Sequence, residues 1–172
     1  VDAEEECDLV EALRWAAGEE LPVAVLGGGS NVVVADGGFD GLVVRMATRG
    51  IDVRAGHADD HVLVTAAAGE PWDELVDAAV DEGLAGVECL AGIPGTVGAT
   101  PVQNVGAYGQ EVGETIASVR VLDRGTLRAC ELTPAECGFA YRTSVLRREP
   151  ERFVVLAVTF RFAIGTPGCT RY

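Results

Sequence analysis

A run of glycines followed by polar residues could bind a phosphate or pyrophosphate group. The run consists of Gly27, Gly28, Gly29, Ser30 and Asn31. Glycines carry no Cβ, so backbone N–H groups can approach a ligand closely, and the two polar side chains add donors. A glycine turn between strands is also a common structural device, so a purely structural role stays open. The GxGxxG dinucleotide fingerprint is not met, because Val32 stands where its last glycine belongs and a predicted strand follows where that fold requires a helix.

A second candidate is the glycine-rich stretch 90–109. It offers bare backbone, two hydroxyls, two amides and one phenol, which suit hydrogen bonding to a flat polar heterocycle. The alternative is a long loop that packs only on itself. We favour a binding role, because loops of this length in compact domains are commonly functional.

Arg142 is the third candidate, in the segment 141–144 that follows a predicted capped turn. An arginine is usually a solvated surface charge. Beside an anionic cofactor or a carboxylate it becomes a fixed cation and hydrogen-bond donor. The residue type leaves both interpretations open.

Apolar periodicity predicts the elements that must position these groups. A first helix carries Leu9, Leu13 and Ala17 on one face, begins at a capping box of Asp2 and Glu5, and ends at Gly18. A second helix is predicted over 72–82. Predicted strands cover 23–26, 32–34, 42–45, 51–54, 61–68, 115–122, 126–132 and 153–162, and 133–136 forms another capping box. Residues 84–114 show no simple period and are predicted as shaped loops. A small α/β unit therefore ends near residue 47, and a second unit follows it.

The composition limits the classes of partner. A chain of 172 residues, 48% of them hydrophobic, is long and apolar enough to fold. Its 27 acidic and 13 basic residues give a net charge of -14, which would repel nucleic acid and anionic membrane surfaces. No apolar run approaches the roughly 20 residues needed to span a bilayer, so we expect a cytoplasmic protein. We also expect a monomer.

Cysteines and histidines predict neither a disulfide framework nor a metal site. The five cysteines are odd in number and widely spaced. His57 and His61 are four residues apart, but they flank Asp59 and Asp60 in a predicted turn rather than on a helix. We therefore expect no bound metal.

Three motifs together resemble one enzyme family. They are LGGGSN at 26–31, the stretch 91–109 with PVQNVGAYG at 101–109, and CGFAYR at 137–142. In this order and spacing they resemble the UDP-N-acetylenolpyruvoylglucosamine reductases. The resemblance implies an α+β fold of the FAD-binding PCMH or vanillyl-alcohol-oxidase type, with FAD between two small α/β subdomains. The subdomains would cover 1–47 and 48–172, with a first strand before residue 1 and a C-terminal substrate domain after residue 172.

The resemblance also implies a reaction and a set of residues. Noncovalent FAD would be reduced by NADPH and would then reduce the enolpyruvyl ether of a UDP-sugar, for peptidoglycan synthesis. The implied cofactor-binding residues are Gly27, Gly28, Gly29, Ser30, Asn31, Thr100, Gln103, Asn104 and Gly106. Arg142 matches the catalytic arginine, and Tyr108, Tyr141 and Tyr172 would face the substrate. The proton-donating Ser and its partner Glu are expected beyond residue 172, so this stretch alone is expected to be inactive.

The chain departs from the family pattern at Ala140, Thr143 and Arg147, where the family usually has Gly, Asp and Lys. These changes keep the charge of Arg142 but bear on its orientation. Two alternatives stay open: an FAD oxidase or dehydrogenase of the same fold, and a flavin-binding module without turnover. Oxidases of this type often attach FAD covalently through His or Cys, and neither residue stands in the glycine loops here.

Overall fold

A computed structural model describes residues 1–55 and 61–165. Its helices are α1 (Glu6–Gly18), α2 (Trp72–Asp81), α3 (Pro134–Cys137) and α4 (Val145–Arg148). Its strands are β1 (Asp2–Ala3), β2 (Val23–Leu26), β3 (Leu42–Met46), β4 (Ile51–Ala55), β5 (His61–Ala67), β6 (Leu84–Ala85), β7 (Gly106–Ala107), β8 (Gln110–Glu111), β9 (Ile116–Asp123), β10 (Arg128–Leu132) and β11 (Phe153–Ile164). Short 3-10 helices lie at Glu88–Leu90, Val97–Ala99 and Val112–Glu114. The predicted turn containing His57, Asp59 and Asp60, and the assignment of Tyr172, lie outside the described residues.

The first sheet consists of parallel strands in the order β1-β3-β2. Parallel strands need a crossover connection, and α1 supplies it between β1 and β2, burying Leu9 and Leu13 on one face. The predicted helix is confirmed, but its capping box is formed by Glu5 and Asp8 rather than by Asp2 and Glu5. Asp2 lies in β1 instead, where its backbone pairs with β3 and its carboxylate pairs with the guanidinium of Arg45.

The second sheet has the order β10-β9-β11-β5-β4, and its neighbouring strands are antiparallel. The central strand β11 turns Val158, Phe160 and Phe162 into the core, where all three are fully buried. α2 covers this core, since the ring of its Trp72 lies 6.0 Å from the ring of Phe160. Full burial of an apolar side chain of this size contributes roughly 1.5–3 kcal/mol. This sheet forms the rigid support of the loops that follow α2.

The strand predicted at 32–34 is wrong. Residues 27–41 form an irregular connection between β2 and β3. Val33 is fully exposed, and Val32 and Val34 are about half exposed. Three adjacent valines have high strand propensity, but propensity needs a neighbouring strand and a core to become a strand, and this connection has neither.

The other predicted strands and the helix at 72–82 are confirmed to within two residues at each end. Thr133 and Glu136 form the predicted capping box and begin α3. The stretch 84–114, predicted as loops, contains the short elements β6, β7, β8 and the 3-10 helices. The four-residue α4 was not predicted, although its N-cap Ser144 is a typical start signal.

Glu70 joins the connection between the two sheets to a loop of the second sheet. The residue is 7% exposed. The carboxylate accepts a hydrogen bond from the Gly50 N–H and pairs with Arg49 at 3.0 Å. Its backbone carbonyl accepts from the Val97 N–H at 2.8 Å. One residue therefore holds both the connection 47–50 and the start of the Val97–Ala99 turn.

Candidate functional site

The glycine loop follows the carboxyl end of β2 and packs directly against the loop that carries Thr96. A Cβ built on Gly27 would stand 2.4 Å from Thr96 Oγ1, so a larger residue would have to displace its neighbour. Gly29 has a φ of 72°, which glycine adopts without a Cβ clash. Ser30 Oγ donates to the carbonyl of Pro94 at 3.0 Å. These contacts join the first sheet to the second at the predicted phosphate site.

Thr96 carries a buried hydroxyl that has no hydrogen-bond partner among the described residues. Its backbone neighbours are fixed on both sides: the Gly95 carbonyl accepts from the Trp72 N–H at 3.0 Å, and the Val97 N–H donates to Glu70. Leaving such a group without a partner costs roughly 1–3 kcal/mol. A polar ligand beside Thr96 would remove that penalty.

Backbone donors of the glycine loop belong to residues that line the same cleft as Thr96. The N–H groups of Gly28, Gly29 and Asn31 donate to no acceptor within residues 1–55 and 61–165. Successive free N–H groups in a glycine loop form an anion-binding concavity. Together with the hydroxyl of Thr96, they fit the pyrophosphate of a dinucleotide such as FAD.

A cleft of about 640 Å³ runs alongside the glycine loop and receives residues from both sheets. This volume lies within the usual range of small-molecule pockets. The cleft brings the whole predicted phosphate site, 27–31, together with Thr100 and Gln103. Arg124 and Arg147 add positive charge to its wall.

The stretch 100–106 contributes groups of different kinds. Thr100 is 3% exposed and its hydroxyl donates to the Val97 carbonyl at 2.8 Å, which leaves its oxygen able to accept one bond more. Gln103 is half-buried, and its amide has no partner among the described residues. Both side chains can therefore meet a ligand in the cleft.

Asn104 has a different role. It is 2% exposed, and its amide nitrogen donates to Glu111 at 2.7 Å and to the Ala140 carbonyl at 3.1 Å. Its amide oxygen accepts from the Gly113 N–H at 2.9 Å. These bonds use both amide hydrogens and one of the two lone pairs of the amide oxygen. Asn104 therefore shapes the loop, and its assignment as a direct cofactor ligand stays a prediction.

Arg142 is held at the edge of the same loop. Its Nη2 donates to the carbonyl of Gly106 at 2.7 Å, and its guanidinium carbon lies 5.9 Å from the centre of the Tyr141 ring. The segment is a tight turn, since Ala140 and Thr143 exchange backbone hydrogen bonds, each of 3.1 Å. Arg142 is exposed, so its remaining donors are open to a ligand.

The two described tyrosines lie in turns near this arginine. Tyr141 is 82% exposed and Tyr108 is 62% exposed, and neither hydroxyl has a partner among the described residues. Ala140 does not have a positive φ, so the turn does not need the glycine that the family usually has there. Gly106, Tyr108, Tyr141 and Arg142 do not line the 640 Å³ cleft. Outside the cleft, Arg142 contacts Gly106 and Tyr141.

Two carboxylates fix the turns near the site and have lowered pKa values. The N–H and hydroxyl of Thr133 donate to Glu136 and lower its pKa, which stabilises the cap of α3 before the Arg142 turn. The N–H and hydroxyl of Thr126 lower the pKa of Asp123 in the turn that carries Arg124. Both groups are therefore charged at neutral pH and act as structural acceptors.

Residues 1–55 and 61–165 offer neither a metal site nor a membrane-spanning helix. No three His, Cys, Asp or Glu side chains come together in a way that could hold a metal ion. No helix there is both long and apolar enough to cross a membrane.

Comparison with known proteins decides the family. Residues 1–131 match the family described as FAD binding domain. The chain belongs to this family. Over 156 residues, this FAD-binding domain is 51% identical to the UDP-N-acetylenolpyruvoylglucosamine reductase of Salinispora arenicola (strain CNS-205), covering 91% of the chain and 42% of that protein. The chain thus spans about two fifths of the length of the curated relatives it matches.

Solved structures agree with this placement. The FAD-binding domain superposes on UDP-N-acetylenolpyruvylglucosamine reductase from Thermus caldophilus with a TM-score of 0.77 and 30% identity, over 95% of this chain and 55% of that one. Cholesterol oxidase from B. sterolicum gives a TM-score of 0.65 at 17% identity, over 95% of this chain and 34% of that one, which shows a shared fold alone. The predicted α+β FAD-binding fold and the resemblance to the reductases are confirmed.

Sequence reasoning missed two residues of this FAD-binding domain. Thr96 lies inside the recognised stretch 91–109, but its unpartnered hydroxyl is visible only once Gly27 is placed against it. Arg147 was noted only as a departure from the family, whereas its Nη1 donates to the carbonyl of Arg142 and its side chain lines the cleft. The signal available for Arg147 was its place just after a Ser N-cap.

Proposed function

We propose that this domain binds FAD noncovalently in the 640 Å³ cleft, between a subdomain at 1–47 and a second at 48–172. The pyrophosphate would lie on 27–31 beside Thr96, and the flavin would lie along Thr100 and Gln103. The observation that carries the placement is the buried, unpartnered hydroxyl of Thr96 beside free backbone N–H groups. A dinucleotide satisfies all of these donors with one ligand.

We propose further that, in the longer protein, this domain serves the NADPH-dependent reduction of UDP-N-acetylglucosamine enolpyruvate to UDP-N-acetylmuramate for peptidoglycan synthesis. FAD, when bound there, would supply the hydride-transfer chemistry that couples oxidation of NADPH to reduction of the enolpyruvyl double bond. Arg142 supports this proposal, because its guanidinium donates to the carbonyl of Gly106. Gly106 ends the stretch 100–106, along which we place the flavin and which we call the flavin loop. A preorganised cation there stabilises the negative charge that develops next to the substrate carboxylate.

The exposed phenols fit the same proposal. Tyr141 precedes Arg142 in its turn, Tyr108 lies two residues after Gly106, and both rings are exposed, so both phenols can hydrogen bond to a sugar or a carboxylate. We propose that the proton donor and its partner Glu lie in the part of the relatives that this chain does not match. The domain described here would then hold the cofactor and orient the anionic end of the substrate.

Two experiments test these proposals in order. Titration of the purified protein with FAD should show saturable binding and a perturbed flavin spectrum. Anaerobic mixing of the FAD-loaded, full-length protein with NADPH should bleach the flavin, and addition of the UDP-enolpyruvyl sugar should restore its absorbance and form UDP-N-acetylmuramate. Reduction by an alcohol or sugar instead of NADPH would identify an oxidase or dehydrogenase. A flavin that no donor reduces would identify a binding module.

A further inference from the structure

Arg142 adopts a backbone conformation that most residues avoid. Its φ is 54°, in the left-handed region, where the Cβ of an L-residue approaches its own backbone. The conformation places the guanidinium 2.7 Å from the Gly106 carbonyl. It persists only if neighbouring groups hold it, so the groups bonded to this peptide decide where the cation stands.

Arg147 is bonded to that peptide. Its Nη1 donates to the backbone carbonyl of Arg142, while the same side chain lines the FAD cleft. A guanidinium that donates to a carbonyl fixes the direction of the whole peptide group. Arg147 therefore connects the cleft wall to the backbone of the exposed arginine.

The base of Arg147 is itself anchored to the flavin loop. Ser144 is fully buried, its hydroxyl donates to the Val102 carbonyl at 2.6 Å, and the Arg147 N–H donates to that hydroxyl at 3.4 Å. The resulting chain of contacts leads from Val102 through Ser144 and Arg147 to Arg142, and back to the loop at Gly106. These contacts tie the Arg142 turn to the flavin loop at two points, Val102 and Gly106.

We propose that Arg147 is a positioning residue, which holds the Arg142 peptide in its left-handed conformation so that the Arg142 guanidinium stays on the Gly106 carbonyl at the edge of the flavin loop. This inference rests on the proposed function for its kinetic consequence. Its structural part, that Arg147 holds the Arg142 turn in place, does not depend on which reaction the enzyme catalyses.

The kinetic test uses the full-length, FAD-loaded enzyme and three variants. Arg147→Met removes the donors, Arg147→Lys keeps the charge and a donor, and Arg148→Met removes a neighbouring exposed arginine whose side chain reaches Gly138 instead. Arg147→Met should slow oxidation of the reduced flavin by the UDP-enolpyruvyl sugar by up to about 100-fold, because small misplacements of a catalytic group are costly. Reduction of the flavin by NADPH should change little. Arg147→Lys should recover most of the rate, and Arg148→Met should behave like the wild type.

A double-mutant cycle separates positioning from a direct role. If Arg147 acts through Arg142, then Arg147→Met should have no further effect in an Arg142→Ala background. Fully multiplicative effects would overturn the proposal, as would equal rates for Arg147→Met and Arg148→Met. A wild-type enzyme whose reduced flavin is not oxidised by the UDP-sugar would refute the proposed function instead.

Limited trypsin digestion of the FAD-loaded protein tests the hold on the turn without any turnover. Trypsin cuts after arginine, and Arg142 lies in an exposed turn, so mass spectrometry can follow cleavage of that one bond. Arg147→Met should be cut after Arg142 clearly faster than the wild type, whereas Arg147→Lys and Arg148→Met should not. Unchanged cleavage in Arg147→Met would overturn the inference even if the enzyme proves to be the proposed reductase.

Discussion

Substitution of Gly27 by alanine should destabilise the protein and weaken FAD binding far more than the same change at Gly28. A Cβ at Gly27 would stand 2.4 Å from Thr96 Oγ1, more than ~1 Å inside the roughly 3.5–4.0 Å at which nonbonded heavy atoms attract. A Cβ at Gly28 would meet Gly95 Cα at 3.6 Å, which is ordinary contact. Thr96 cannot retreat freely, since the Gly95 carbonyl is bonded to the Trp72 N–H.

Overpacking of this kind typically costs about 1–3 kcal/mol. We therefore expect Gly27→Ala to lower the free energy of unfolding by that amount, measured by urea denaturation followed by circular dichroism. Displacement of the Thr96 hydroxyl should also remove its proposed hydrogen bond to FAD, which is worth about 1–3 kcal/mol and corresponds to a Kd about 5-fold to 150-fold weaker. Fluorescence quenching of FAD on titration gives these constants.

Thr96→Ala supplies a control that isolates the clash. Thr96 Cβ lies 3.6 Å from the ideal Gly27 Cβ position, so an alanine at 96 would leave ordinary contact. The double variant Gly27→Ala, Thr96→Ala should therefore recover most of the lost stability. Its FAD affinity should stay low, because the buried donor is gone. If Gly27→Ala proved as mild as Gly28→Ala, or if Thr96→Ala did not relieve its cost, the proposed contact between the two loops would be wrong.

Three further predictions concern other parts of the site. Arg142→Ala in the full-length enzyme should slow flavin oxidation by the UDP-enolpyruvyl sugar about 100-fold to 1000-fold, with little effect on flavin reduction by NADPH. Equal slowing of both steps in stopped-flow traces would instead identify Arg142 as a structural residue. Asn104→Ala should lower the free energy of unfolding by about 2–4 kcal/mol, because three hydrogen bonds to a buried amide are lost. Gln103 is only half-buried, so Gln103→Ala should change the urea denaturation curve little and the FAD affinity more. Burial raises the pKa of Cys137 to about 11, so its thiol stays protonated at pH 8. Iodoacetamide should therefore label Cys137 much more slowly than exposed Cys130. Comparable labelling of the two cysteines, measured by mass spectrometry, would contradict the buried placement of Cys137.

Local sequence patterns predicted the elements whose stability is local or repetitive. The helices beginning at Glu6 and Trp72 follow from apolar residues three and four positions apart, and the long strand β11 follows from alternation. The three valines at 32–34 have the composition of a strand, but strand formation depends on a partner elsewhere in the chain. Asp2 was misjudged for the same reason, since its partner Arg45 is 43 residues away.

In the candidate site, too, the features that local sequence patterns define were predicted, and those that depend on contacts between distant residues were not. The glycine loop and the stretch 100–106 were found because their residue types and motifs stand next to each other in the sequence. The separate roles of Asn104 and Gln103 could not be predicted, because adjacent amides differ only in which one turns into the protein. The orphaned hydroxyl of Thr96 likewise depends on a contact between residues 27 and 96, and no local pattern records it.

Through Glu70, residues outside the cleft can affect how tightly the domain holds FAD. The carboxylate of Glu70 holds the connection 47–50, and the Glu70 carbonyl holds the turn next to Thr96. A substitution in that connection would therefore shift the proposed FAD contact at Thr96 from outside the cleft. Directed evolution for tighter or looser flavin retention would therefore be expected to recover changes at Arg49 or Gly50 as readily as in the glycine loops. Natural variation at these positions would then alter how long the cofactor stays bound while leaving every cleft side chain the same.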